Sequence, residues 1–176
     1  MKKFKFMFDT CALNRIVSIP EHINILKQAE TKLGYKYFIT DVQERELKGI
    51  PDRTLDYENP NAYKASKQGE KALQYIQMLN MTKASCIAST YKDFTRADGS
   101  MRFASRTGKR AEMFNAICIN NNHHRRDAII AEASINEDCI LITVDNRLHK
   151  KTNQFYPESS MLYDDFISSI ERELFL

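Results

Sequence analysis

Four acidic residues stand where the sequence passes from strand-like to helix-like patterns. Asp9 follows the aromatic run Phe-Lys-Phe-Met-Phe at 4–8, and Asp145 follows Ile142-Thr143-Val144. Asp127 opens the stretch Asp-Ala-Ile-Ile-Ala-Glu-Ala-Ser-Ile-Asn-Glu at 127–137, and Glu46 lies in a short helical segment behind residues 35–39. Each alone has an ordinary explanation. Asp at a strand–helix junction commonly caps the helix, and Glu46, with Asp41 and Glu44 beside it, reads as an exposed helix residue. Caps have no need to meet at one edge, however. Four carboxylates that do meet repel one another and raise each other's pKa unless a cation neutralises them. Hard divalent cations accept oxygen ligands of this kind, and carboxylates with such an ion are suited to attack on a phosphodiester.

A polyanionic substrate needs positive charge nearby. The whole chain is only mildly basic, with 26 Lys and Arg against 23 Asp and Glu over 176 residues, a net charge of +3. Residues 91–126 hold eight of the basic residues (Lys92, Arg96, Arg102, Arg106, Lys109, Arg110, Arg125, Arg126) and only three acids. Tyr91, Phe94 and Phe103 in the same segment are of a type that stacks on bases. A solvated loop and helix face is the plain reading of such a charge run, and the segment matters only if it borders a site.

Other chemistries find no support. Cys11, Cys86, Cys118 and Cys139 are scattered without a C-x-x-C pair, against a zinc cage and in keeping with reduced thiols. Gly108-Lys109 is not a phosphate loop, because Phe103 stands where a Gly is required and Arg110 where Ser or Thr is. Neither G-x-S-x-G nor H-E-x-x-H occurs. His123 and His124 are adjacent and would face different directions on a helix, which suits solvent or phosphate contact better than metal ligation. Cys11 lacks a basic partner in sequence and reads as a small buried thiol. The N-terminal MKKFKFMFDT is basic but too briefly apolar for a secretory leader, and no stretch approaches a membrane span, so the expected location is cytoplasmic.

The elements that must position the acids follow from pattern. Residues 4–8 form a strand, and Pro20 and Glu21 open a helix to about Leu33 that Gly34 ends. A second strand covers 35–39, then a helix over Asp41–Leu47 is closed by Gly49, and Pro51 and Pro60 mark 50–60 as loop. Residues 61–80 are helical, 84–89 suit either a strand or a helical turn, 92–102 are a polar loop, and 107–119 and 127–137 are helices, the latter largely buried. The apolar run 139–143 suits a strand covered on both faces, and an amphipathic helix runs from about Tyr163 with Phe166, Ile167, Ile170 and Leu174 on its apolar side. Strands alternating with helices predict an α/β domain with a mostly parallel central sheet. Ligands of such sheets bind beyond the carboxyl ends of the strands, where strand order reverses.

Four segments together resemble the PIN-domain family, the fold of VapC-type toxin ribonucleases. They are Phe8-Asp9-Thr10-Cys11-Ala12-Leu13, Ile39-Thr40-Asp41-Val42-Gln43-Glu44-Arg45-Glu46-Leu47, Asp127-Ala128-Ile129-Ile130-Ala131-Glu132-Ala133, and Leu141-Ile142-Thr143-Val144-Asp145-Asn146. The resemblance implies one PIN-like three-layer domain over 1–176, with flanking helices and an enlarged middle at about 50–120. It implies a metal-dependent endoribonuclease in which Asp9, Asp127 and Asp145 bind Mg²⁺ or Mn²⁺, Glu46 completes the site or orients the attacking water, and Thr143 and Asn146 support them from behind. Products would carry 5′-phosphate and 3′-hydroxyl ends. Arg102, Arg106, Lys109, Arg110, Arg125 and Arg126 would hold the RNA backbone. A homodimer and an inhibitory antitoxin are the implied partners. The sequence departs from the family in having Asn146, Arg147 and Leu148 where many relatives carry a further acid, and in the length of its middle, which weakens the toxin role more than the nuclease fold. Two alternatives remain: a PIN-like module that binds nucleic acid or protein without catalysis, and a phosphatase or phosphotransfer α/β domain. Salt-sensitive RNA binding without cleavage marks the first, and a phosphorylated carboxylate marks the second.

Overall fold

The structure is a computed structural model that describes residues 4–50, 66–84, 108–118 and 124–175. Its centre is β1 (Lys5–Phe8), which pairs in parallel on one side with β2 (Lys36–Thr40) and on the other with β4 (Ile140–Thr143). β3 (Thr82–Ala84) flanks β2 and β5 (Ser160–Leu162) flanks β4, giving an all-parallel sheet of order β3-β2-β1-β4-β5. Parallel sheets need cover on both faces, and alternate side chains of the strands provide for it. Phe6, Phe8, Tyr37, Ile39 and Ile142 face one layer, made by α1 (Thr10–Ser18), α2 (His22–Leu33), α4 (Lys67–Met78) and α8 (Tyr163–Leu174). Met7, Phe38 and Leu141 face the other, made by α5 (Lys109–Cys118), α6 (Arg125–Asn136) and α7 (Asn146–Phe155). This is an α/β three-layer architecture. Phe166 of α8 is fully buried, with ring centroids 4.7 Å from Phe6 and 5.8 Å from Phe8. Such ring pairs are each worth about 1 kcal/mol beyond the area they bury.

Strand order fixes where a site can form. The chain moves from β1 outward through β2 to β3, then returns across the sheet to β4 on the opposite side of β1. The reversal lies between β1 and β4, and both Asp9 and Asp145 follow the carboxyl ends of those two strands.

Three elements are not marked in the sequence's periodicity. α1 begins directly after Asp9, too close to β1 for its four-residue apolar spacing to stand out. α7 buries only Leu148 and Thr152, so it carries almost no apolar stripe. β5 is a three-residue edge strand. The ambiguous stretch at 84–89 begins at the last residue of β3; residues 85–107 and 51–65, with the loops expected there, lie outside the described residues.

α3 (Asp41–Leu47) carries Glu46, and α4 crosses it closely at Gly69, where an added Cβ would collide with the carbonyl oxygen of Leu47. Alanine favours a helix over glycine, so propensity predicts that Gly69→Ala stabilises. Backbone overlap predicts the reverse and dominates: Gly69→Ala lowers stability by roughly 1–3 kcal/mol. A shift of the urea midpoint upward would contradict the close approach.

Candidate active site

Asp9 continues β1 by one residue, its N–H donating to the Ile142 carbonyl at 2.9 Å. Its side chain caps α1, with Oδ1 accepting from the Ala12 N–H at 2.6 Å, while Oδ2 accepts from the Thr143 hydroxyl. The Thr143 oxygen in turn accepts from the Asp145 N–H at 2.9 Å. Asp145 caps α7, Oδ1 accepting from Arg147 N at 2.7 Å and Leu148 N at 3.2 Å. The cap explanation therefore holds for both residues. They converge nonetheless, because each caps the helix that leaves one of two adjacent parallel strands. Thr143 thus contacts both residues, the side chain of Asp9 and the backbone of Asp145.

Asp127 is not a cap. It lies in the first turn of α6, whose N-cap residue His124 makes no side-chain cap bond. Asp127 Oδ2 stands 3.3 Å from His124 Nδ1 and accepts from Arg147 at 3.2 Å. The same Arg147 nitrogen lies 3.6 Å from Asp145 Oδ2, and the other donates to the Ile117 carbonyl at 2.9 Å. Arg147 thus ties the ends of α5, α6 and α7 together.

Glu46 is brought in by α3. Thr40 and Gln43 form a capping box, with Gln43 Oε1 accepting from Thr40 N at 2.6 Å. The Gln43 amide nitrogen also donates to the Phe8 carbonyl, fastening α3 to the end of β1. Glu46, three residues on and so on the same helix face, accepts from the Thr10 hydroxyl at 2.6 Å and faces Arg126 at 3.9 Å.

Charge is crowded here. Asp9 is 3% exposed, and burial, reinforced by the nearby Asp127 and Asp145, pushes its pKa to about 7 against the hydrogen bonds from Thr143 and Ala12. Burial also raises Asp127, opposed by His124 and Arg147 and helped by Asp145. Cys11 at the surface of α1 has its thiol pushed up to about 12, first by desolvation and then by the combined field of Asp9, Asp127, Glu46 and Asp145. That thiol is a poor nucleophile at neutral pH.

The basic residues do not gather equally well. Arg126, expected from sequence to hold the RNA backbone, is buried and faces Glu46 at 3.9 Å. Arg125 is half-buried at the start of α6, on the acid side. Lys109 and Arg110 stand at the other end: Arg110 donates to Asn136 at 3.1 Å, and Lys109 lies 4.9 Å from the Tyr156 ring. Asn136 closes α6, roughly 16 Å along the helix from Arg125, so the structure does not bring these two to the acids. Arg102 and Arg106 lie outside the described residues. Asn146 is exposed at the first position of α7. Thr10, Gln43, His124 and Arg147 were not marked as site residues by sequence. Only Gln43 had a readable signal, the Thr-x-x-Gln capping box.

The donor chemistry of the four acids suits a hard divalent ion, but the present spacing is not a ready ligand set. Among the described residues no three His, Cys, Asp or Glu side chains are placed to hold a metal. The oxygens face helix N–H groups, hydroxyls and Arg147 instead.

The raised Asp9 pKa has a thermodynamic consequence. The folded chain keeps a proton that the unfolded chain, with its ordinary value of 3.8, has released. The stabilisation is complete below about pH 4 and is lost as pH rises through about 7. In chelator, raising the pH from about 5 to about 8 should lower Tm by roughly 5 °C more in the wild type than in Asp9→Asn. Parallel pH profiles would rule out a strained Asp9 carboxylate.

Set against models of known families, curated proteins and solved structures, the chain matches none.

Proposed function

We propose that the protein is a metal-dependent endoribonuclease whose active centre is the acid cluster at the β1/β4 reversal. The observation that carries the reading is the linkage of the acids beyond β1 and β4: Thr143 joins Asp9 to the backbone of Asp145, Arg147 joins Asp145 to Asp127, and Thr10, next to Asp9, holds Glu46. Of the described groups that touch these acids, two are fixed cations, Arg126 and Arg147.

Each residue then has a part. Asp9, Asp127 and Asp145 would supply the carboxylate oxygens to hold Mg²⁺ or Mn²⁺. Such an ion, when bound, acidifies water and stabilises charge on phosphoryl oxygens. Thr143 fixes the orientation of Asp9 and the backbone of Asp145. Glu46, half-buried and held by Thr10, is the candidate to orient the attacking water. Arg125 at the rim contacts the substrate backbone, an attraction that weakens with salt. RNA as the substrate, the homodimer and an antitoxin partner rest on the PIN-domain resemblance alone. No described helix is long and apolar enough to cross a membrane.

The binding-module alternative has an observation in its favour, namely that every acid is already engaged by protein groups. The phosphotransfer alternative fits less well, since buried Asp9 has both oxygens hydrogen-bonded and offers no open nucleophile.

Asp9→Asn and Asp127→Asn should each reduce cleavage of RNA in Mn²⁺ or Mg²⁺ by at least about 100-fold, the scale on which lost transition-state stabilisation is felt. Circular dichroism should show both variants folded. Full activity in both variants would refute the nuclease reading, and an inactive wild type that binds RNA would favour the binding module.

A further inference from the structure

The most unusual side chain in the cluster is a cation. Arg147 bridges Asp127 and Asp145 at 3.2 and 3.6 Å from a single terminal nitrogen, and its other terminal nitrogen is anchored on the Ile117 carbonyl. A guanidinium supplies several donors in a rigid fork, so it can hold two carboxylates and a carbonyl together. Its position is set by the fold, because Arg147 is the second residue of α7, two after the Asp145 cap.

We propose that Arg147 is the chain's own occupant of the cation position, holding Asp127 and Asp145 in the metal-free state and competing with a divalent ion for them. This rests on the nuclease reading and deepens it. It explains why carboxylates that converge are nonetheless not spaced as a ligand set. It also explains how the metal-free fold tolerates Asp127 beside Asp145: an ion pair supplies the compensation. The pair is exchangeable. The side chains of Arg147, Asp127 and Asp145 are 35%, 31% and 33% exposed, so the guanidinium borders solvent and its attraction is screened there. His124 stands on Asp127 at 3.3 Å, and Arg126 faces Glu46 at 3.9 Å. Arg147 is accordingly a positioning residue for the acids. It sets how much free divalent ion is needed to reorganise them.

The test is equilibrium binding of Mn²⁺ alone to the full-length protein, followed by the electron-spin signal of the free ion. Arg147→Met keeps the length of the stem and removes the charge; Arg147→Lys keeps the charge without the fork. The expected result is Mn²⁺ affinity increased at least about 10-fold in Arg147→Met and by less in Arg147→Lys. In chelator, Arg147→Met should have a lower Tm than wild type, and saturating Mn²⁺ should raise the Tm of this variant more than that of wild type. A merely structural arginine predicts weaker or unchanged Mn²⁺ binding on removal, and that result overturns the proposal. If Arg147→Met does not fold, Arg147→Lys alone decides: affinity equal to or below wild type overturns the competition. Measurable Mn²⁺ binding by wild type with no gain in the variants sinks the competition but spares the nuclease reading; no Mn²⁺ binding by any form sinks both.

Discussion

A carboxylate buried at the end of the central strand is the constraint around which the site is built. Asp9 cannot reach bulk water, yet it stands next to two more acids. Its neighbourhood is organised to make that bearable. The N-terminus of α1 presents N–H groups and the positive end of a helix dipole to it. Thr143 gives it a hydroxyl and passes the connection on to the Asp145 backbone. The N-terminal turns of α6 and α7 bring in Asp127 and Asp145 respectively, so three helix starts converge where the strand order reverses. Those dipoles favour anions, yet burial still holds the Asp9 and Asp127 carboxyls above their ordinary range.

The same side chains thus serve stability and candidate chemistry at once. Asp9 and Asp145 begin helices, each cap contributing about 1 kcal/mol in typical proteins. Removing either to test catalysis therefore also loosens a helix, which is why charge-neutral Asn, itself a good cap, is the informative replacement. Gln43 and Gly69 show how distant packing reaches the site. One ties α3 to the end of β1, and the other lets α4 approach close enough to fix α3 against it. Glu46 is oriented by both.

Most of the architecture was legible from alternation and punctuation. β1, β2, β4, α2 with Gly34 as its left-handed end, α3 and α8 lie where the pattern places them. The edge location of Asp9 and Asp145 followed from the rule for parallel sheets. What sequence could not resolve was whether an Asp at a junction is a cap or a cluster member, because here it is both. Nor could charge counting place the basic segment. Lys109, Arg110 and Arg126 are close in sequence to Arg125, yet two lie at the far end of α6 and one is buried against Glu46. The role of Arg147 was hidden for a related reason: its partners are 20 and two residues away and meet it only through the β4–α7 junction and the start of α6. α7 itself was invisible because it buries so little.

The central claim is that the acids share one electrostatic site that a small divalent cation relieves. Its most direct test is a carbon-13 NMR titration of the Asp9 carboxyl, with and without Mg²⁺. Crowding and burial predict an Asp9 pKa of about 7 in chelator, falling by more than about one unit when Mg²⁺ is added. A value near the ordinary 3.8 that Mg²⁺ leaves unmoved would contradict the account.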